Sequence, residues 1–170
     1  MGLRMGPCRP VRVLALLAPL ALFCAGCGFR LAGSGPLPAV MAKPYLSVQD
    51  SYTDFSREFE RHLKGAGAQL QAQATGASAT VEVSRDDVQR RVLSVSASNI
   101  PTEYELTYTV TIAVHAGGTE ILTPQTLSLS RDYSFDENAL LAKENEEDVL
   151  RMQMARDLAA IAARRLTSLK

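Results

Sequence analysis

Residues 103–112 alternate without a break, and Val114 keeps the phase. Tyr104, Leu106, Tyr108, Val110, Ile112 and Val114 are apolar or aromatic, and Glu103, Glu105, Thr107, Thr109 and Thr111 stand between them. A period of two over that length is the pattern of a β-strand with one face buried and one face polar, because successive side chains leave a strand on opposite sides. One such strand is not stable alone, so the chain must supply neighbours beside it and a layer over its apolar face.

The neighbours are legible on both sides. Gly117-Gly118 follows the strand and reads as a hairpin turn. Beyond it Leu127, Leu129, Tyr133 and Phe135 alternate with Thr126, Ser128, Ser130 and Ser134, and Pro124 near the start suits an edge strand or a strand entry. Upstream, residues 79–98 form another strand whose apolar phase switches near Arg85–Asp87, which predicts a bulge or bend there. A fourth, short strand is expected over 45–49. Residues 66–79 read as a loop, or as a weak strand around Leu70.

The covering layer comes from two helices. Ser51 and Asp54 match the [ST]-x-x-[DE] start signal, Tyr52, Phe55, Phe59 and Leu63 fall on one face, and Gly65 and Gly67 end the segment. From Asp136 the period changes to 3.6, with Leu150, Met154, Leu158, Ile161, Ala162 and Leu166 as an apolar stripe. Acids gather early in that helix of about 30 residues and bases late, as the helix macrodipole favours. The expected class is therefore α+β: a two-layer sandwich with two helices on one face of a roughly four-stranded, mostly antiparallel sheet. The opposite face, rich in Thr, Ser and Glu, is left for water or a partner.

The amino terminus is of a different kind. Arg4, Arg9 and Arg12 precede an uncharged run over 13–25, too short at roughly 20 Å to cross a ~30 Å hydrocarbon core, and Pro19 interrupts it. Small Ala25 and Gly26 stand before Cys27, which is the layout of a secretory signal over 1–26. Cys24-Ala25-Gly26-Cys27 resembles the bacterial lipobox, with Cys24 where leucine is usual. The resemblance implies that Cys27 is diacylated and becomes the new amino terminus, and two or more acyl chains hold a protein stably on a membrane. Gly28 stands where an aspartate would signal inner-membrane retention, which favours the outer membrane. Residues 27–44, with glycines and prolines and no sustained period, are expected to be an acylated tether, and 45–170 a single α+β domain.

Composition narrows the function classes. Eighteen basic residues balance eighteen acidic ones, which argues against a nucleic-acid partner, and three of the bases lie in the leader, so the remainder is slightly acidic. Cys8, Cys24 and Cys27 all precede the domain, so no disulfide framework is available to it. His62 and His115 are the only histidines and leave almost nothing for a zinc site; no cofactor is expected. His62 on a charged helical stretch and His115 at a strand end read as surface residues. There is no G-x-S-x-G elbow, H-E-x-x-H or P-loop lysine, so an enzyme is not expected. What remains is binding. Arg90 and Arg91 on the long upstream strand, Arg131 on an apolar strand face and Lys143 at the start of the last helix are candidate phosphate-binding cations. Ordinary solvated charge is the other reading of each.

Several stretches carry a family resemblance. Cys27-Gly28-Phe29-Arg30-Leu31, Glu103-Tyr104-Glu105-Leu106, Arg131-Asp132-Tyr133-Ser134-Phe135-Asp136 and Leu141-Ala142-Lys143-Glu144-Asn145-Glu146 resemble the LPS-assembly lipoprotein family LptE, in order along essentially the whole chain. The resemblance implies a lipid-anchored, periplasm-facing protein of the outer membrane that plugs and helps assemble the β-barrel LptD and assists lipopolysaccharide transport. Lipopolysaccharide contact carries over by motif to Lys143 alone; Arg90 and Arg91 rest on their charge. The alternative is a structural lipoprotein for barrel assembly that touches no glycolipid. An anchored periplasmic hydrolase would need a nucleophile–base pair that the sequence does not display.

Overall fold

The alternating segment is the third strand of a four-stranded sheet. In the computed structural model, which describes residues 37–169, the order is β1 (Pro44–Val48), α1 (Asp54–Gly65), β2 (Ala79–Val95), β3 (Pro101–Ala116), β4 (Thr119–Ser134) and α2 (Leu140–Thr167). The signal segment and Cys27 lie outside the described residues. The strands stand in the order β1-β2-β3-β4; β1 pairs with β2 in parallel and the other pairs are antiparallel. The sheet is thus mixed, with α1 as the crossover that a parallel pair requires.

Register decides which residues share a face. Val83 stands opposite Ile112 and Arg85 opposite Thr111, so Ser84 is the extra residue of a bulge. Before it Val81 and Val83 point to the helices; after it Asp86, Val88, Arg90 and Val92 share that side with Val110, Tyr108, Leu106 and Tyr104. This is the phase switch read near Arg85. Gly117 and Gly118 have φ of +57° and +79° and close a two-residue hairpin between Ala116 and Thr119. Positive φ at both positions is the I′ geometry that glycine permits. Pro124 lies on the outer edge strand, beside a register break opposite Ile112–Val114, where a missing N–H costs no regular ladder bond.

α1 and α2 run in the same direction, since Arg151 meets Asp54 at 3.3 Å and Arg156 meets Glu58 at 3.8 Å. Their buried faces, Phe55, Phe59 and Leu63 on α1 and Met154, Leu158, Ala162 and Leu166 on α2, close over Val81, Leu106, Val110, Ile112 and Val114. α1 ends in a Schellman motif: Ala68 N–H donates to Leu63 O and Gly67 N–H to Lys64 O, each at 3.0 Å, with Gly67 at φ +94°.

The start of α1 differs from the sequence reading. Thr53, not Ser51, is the cap: its Oγ1 accepts the Ser56 N–H at 3.1 Å, and Tyr52 lies outside the helix, 81% exposed. The reason is tertiary. Thr53 Oγ1 also donates to Asp86, which accepts from the Tyr108 hydroxyl at 2.8 Å, so the cap is tied to the strand that emerges from the bulge. Burial and the bond to Asp86 push the Tyr108 hydroxyl well above its ordinary pKa. Thr53→Ala is expected to cost about 1–2 kcal/mol, measured by urea unfolding, and Thr53→Ser to restore most of it.

The extended arm expected up to residue 44 does not persist to its end. Ala39–Met41 forms a 3-10 turn and Met41 is fully buried in the core. Ser78 Oγ donates to Val40 O at 2.7 Å and Gln69 N–H to Ala42 O at 2.9 Å. The chain therefore enters the domain at the end of the sheet that carries the Gly117–Gly118 hairpin. We call the other end, where β2 and β3 join and α2 begins, the distal end.

Candidate functional site

Adjacent residues on a strand face opposite ways, and this separates two of the candidate cations. Arg90 stands opposite Leu106, on the helix-covered face; Arg91 stands opposite Glu105, on the polar face. They do not form one basic patch. The period-two rule was the available signal, since an Arg-Arg dipeptide inside a regular strand must straddle it.

Arg90 belongs to a clamp under α2. Its guanidinium lies 4.7 Å over the Tyr104 ring and donates to Glu147 Oε2 at 2.8 Å; Glu147 also accepts from the Tyr133 hydroxyl. Tyr104 stacks on Tyr133 with ring centroids 5.7 Å apart and meets Phe135 edge-on at 5.2 Å. The bond to Glu147 raises the Arg90 pKa. At Glu147 partial burial pushes upward, but the bonds from Tyr133 and Arg90 outweigh it and leave the carboxyl below its usual range. Burial, with the bond to Glu147, carries the Tyr133 hydroxyl up to about 12. A depressed folded-state carboxyl adds stability above its ordinary pKa, and that contribution is lost as pH falls through the folded value. The first fully buried α2 side chain is Met154, so the clamp and the half-buried Leu150 hold the start of the helix.

The polar face is ordered by its own hydroxyls. Thr107 meets Ser130 at 3.0 Å, Thr109 meets Ser128 at 3.1 Å and Thr111 meets Thr126 at 3.1 Å, three cross-strand bonds in consecutive rows. Distally the rows become charged. Arg91 grips Glu105 with Nε–Oε1 at 2.7 Å and Nη2–Oε2 at 3.3 Å, and Asp132 stands opposite Glu105 on β4. The bond to Arg91 lowers the Glu105 carboxyl and that to Glu105 raises the Arg91 pKa. One polar row further, Ser134 accepts from Lys143 Nζ at 3.1 Å, and Lys143 also donates to Glu146 at 2.8 Å. Lys143 and Arg91 thus reach the same end of one face. The Lys143 side chain is only 18% exposed, less open than its place in a charged sequence suggests.

Arg131 faces the helices and pairs loosely with Asp157 at 3.7 Å. His115 stands 3.5 Å from Glu82. Sequence reasoning missed Glu105, Glu146, Glu147 and Tyr133 as partners of the cations, because none is a near neighbour along the chain except Glu146, which is three residues from Lys143. That i,i+3 spacing was the one signal present. Beside these groups Val92, Val95, Leu140 and Leu141 leave apolar surface in water. Among the described residues no helix is long and apolar enough to cross a membrane.

Comparison with known proteins places this geometry among related chains. The sequence profile of LptE, described as lipopolysaccharide-assembly, matches residues 44–166. The LPS-assembly lipoprotein LptE of Pectobacterium atrosepticum is 27% identical over 160 residues, covering 93% of this chain and 86% of that protein. Its namesake from Yersinia pestis (strain Pestoides F) is 28% identical over 157 residues, covering 91% and 75%. Among solved structures, rare lipoprotein B from Shewanella oneidensis superposes with a TM-score of 0.60 at 28% identity, over 69% of this chain and 87% of that one. Lipoprotein B from Nitrosomonas europaea shares the fold, with a TM-score of 0.69 at 24% identity over 83% and 91%.

Proposed function

Because the chain belongs to the LptE lipopolysaccharide-assembly family, we propose that it is an outer-membrane lipoprotein that plugs and helps assemble the β-barrel LptD and delivers lipopolysaccharide through it. The observation that carries this reading is the span of the family match, residues 44–166, which includes every strand and nearly all of both helices. Residues 1–26 are then a signal removed on export, Cys27 carries the acyl chains, and residues from 27 to the entry of the domain serve as the tether. The work is binding and assembly rather than catalysis. Polar sheet surface suits the hydrophilic interior of a barrel.

Lys143 and Arg91 are the cations we assign to glycolipid phosphate, as a point charge and a fork on one face. Arg90, held between Glu147 and Tyr104, supports the start of α2 and reaches phosphate only by leaving that clamp. Lys143→Gln is expected to weaken lipopolysaccharide binding about tenfold, since a charge-assisted hydrogen bond contributes roughly 1.5–3 kcal/mol. Barrel association should survive, because interface affinity rests on a buried centre rather than on one cation. Affinity purification of the acylated protein from outer membrane tests the whole: co-purified barrel and lipopolysaccharide are expected, and a preparation containing neither would overturn it.

One observation favours a second reading, a barrel-assembly lipoprotein that binds no glycolipid. Lys143, Arg90 and Arg91 each already hold a carboxylate of this chain. Barrel without lipopolysaccharide in the same purification is the result that reading expects.

A further inference from the structure

The two cations on the polar face are held by carboxylates in opposite ways. At Arg91 the acid is the settled member. The Glu105 side chain is 18% exposed, accepts both arms of the fork and takes a further bond from Thr107 at 3.3 Å, while the Arg91 side chain is 70% exposed and turns its remaining N–H groups outward. At Lys143 the cation is the settled member. Its ammonium is tucked against Ser134 Oγ, and the acid over it, Glu146, is 45% exposed and has no other hydrogen bond among the described residues.

Asp136 also feels the Lys143 charge, but it is otherwise engaged. Its carboxylate accepts the Asn138 backbone N–H at 2.9 Å and side-chain N–H at 3.0 Å, bonds that hold its pKa low. Among the described residues Glu146 is therefore the acid bonded to Lys143, and its departure leaves the rest of the site in place. An ammonium takes an anionic oxygen at about 2.7–2.9 Å whether it comes from carboxylate or phosphate. Of the three ammonium N–H groups one goes to Ser134 and one to Glu146, so with Glu146 swung away Lys143 stays oriented by Ser134 and has two donors open to an anion at the end of the face that Arg91 shares.

We propose that Glu146 is an internal occupant of an anion seat on Lys143, and that a phosphate group takes that seat by displacing it. The proposal rests on the lipopolysaccharide reading for the source of that phosphate. It makes Glu146 a specificity-determining residue: an anion must carry enough charge to replace a carboxylate that is already attached to the protein. It also reconciles the paired state of Lys143 with a binding role, since the pair is the resting state of the seat.

The test is equilibrium binding of purified lipopolysaccharide, and separately of inorganic phosphate, to the acylated protein in detergent. Wild type, Glu146→Gln, Glu146→Ala and Lys143→Gln are compared, with thermal midpoints measured in parallel. Both Glu146 variants should bind lipopolysaccharide about tenfold tighter, from the lost internal pair and the lost repulsion of the incoming phosphate. Lys143→Gln should bind more weakly than wild type. Tightening toward inorganic phosphate alone would support the seat and assign it to free phosphate. Unchanged or weaker binding by both Glu146 variants, with unshifted midpoints, overturns the proposal and leaves lipopolysaccharide binding intact. If neither wild type nor the Glu146 variants bind either probe, the seat and the glycolipid reading fall together.

Discussion

Phe59→Ala is expected to remove about 3–5 kcal/mol of stability, the cost of emptying a large aromatic site in a packed core. Phe59 is fully buried, at the middle of the apolar face of α1, with its ring stacked on Phe55 at 5.3 Å and 21°. α1 has only 12 residues, marginal as an isolated helix, so it persists because this face is docked. Domains of this size are stable by about 5–15 kcal/mol, and the substitution takes a large share of that. Urea unfolding followed by circular dichroism measures it directly. Phe59→Leu, which keeps most of the volume, should cost about 1.5 kcal/mol or less. A loss below 1 kcal/mol for alanine would mean that α1 contributes less to the core than its burial implies.

Cys27→Ala is expected to have the largest effect in the cell, because on the lipoprotein reading proposed above it removes the sulfur that acylation and signal processing require. The precursor should remain uncleaved in the inner membrane, and radiolabelled palmitate should not be incorporated. Incorporation at the wild-type level would show that the lipobox reading is wrong. The same chain begun at Gly28 without a signal should fold, since the buried residues of the core run from Met41 to Leu166 and include no cysteine. A random-coil circular dichroism spectrum would contradict that expectation.

The strands and the second helix were legible because their periods are local properties. Tyr104 to Val114 could be placed on one face before any neighbour was known, and the bulge announced itself as a change of phase. The cap of α1 was not legible in the same way. Ser51 and Thr53 both suit an N-cap, and the choice was made by Asp86, more than 30 residues downstream. The candidate site was legible as a set of cations and not as a set of pairs. Arg90 and Glu147 are 57 positions apart and Arg91 and Glu105 fourteen, so which acid neutralises which base depends on sheet register and helix placement. The hydroxyl ladder could have been anticipated as a polar face, but the pairing of Thr107 with Ser130 awaited the register of β3 against β4.

Entry of the chain beside the hairpin sets a length scale. From Ala116 at that end to Glu105, which holds Arg91, β3 spans about 35 Å at ~3.3 Å per residue. The strand is thus a rigid spacer between the point where the amino-terminal chain joins and the cations of the polar face. Its length is close to the ~30 Å hydrocarbon thickness of a bilayer. If the entry point lies at one leaflet and β3 stands upright, the cations lie level with the opposite leaflet; if β3 lies flat, they stay on the side of the entry point. Distances from a spin label near Gly118 and another near Arg91 to lipid headgroups would separate the two postures, because a spacer of this length cannot serve both at once.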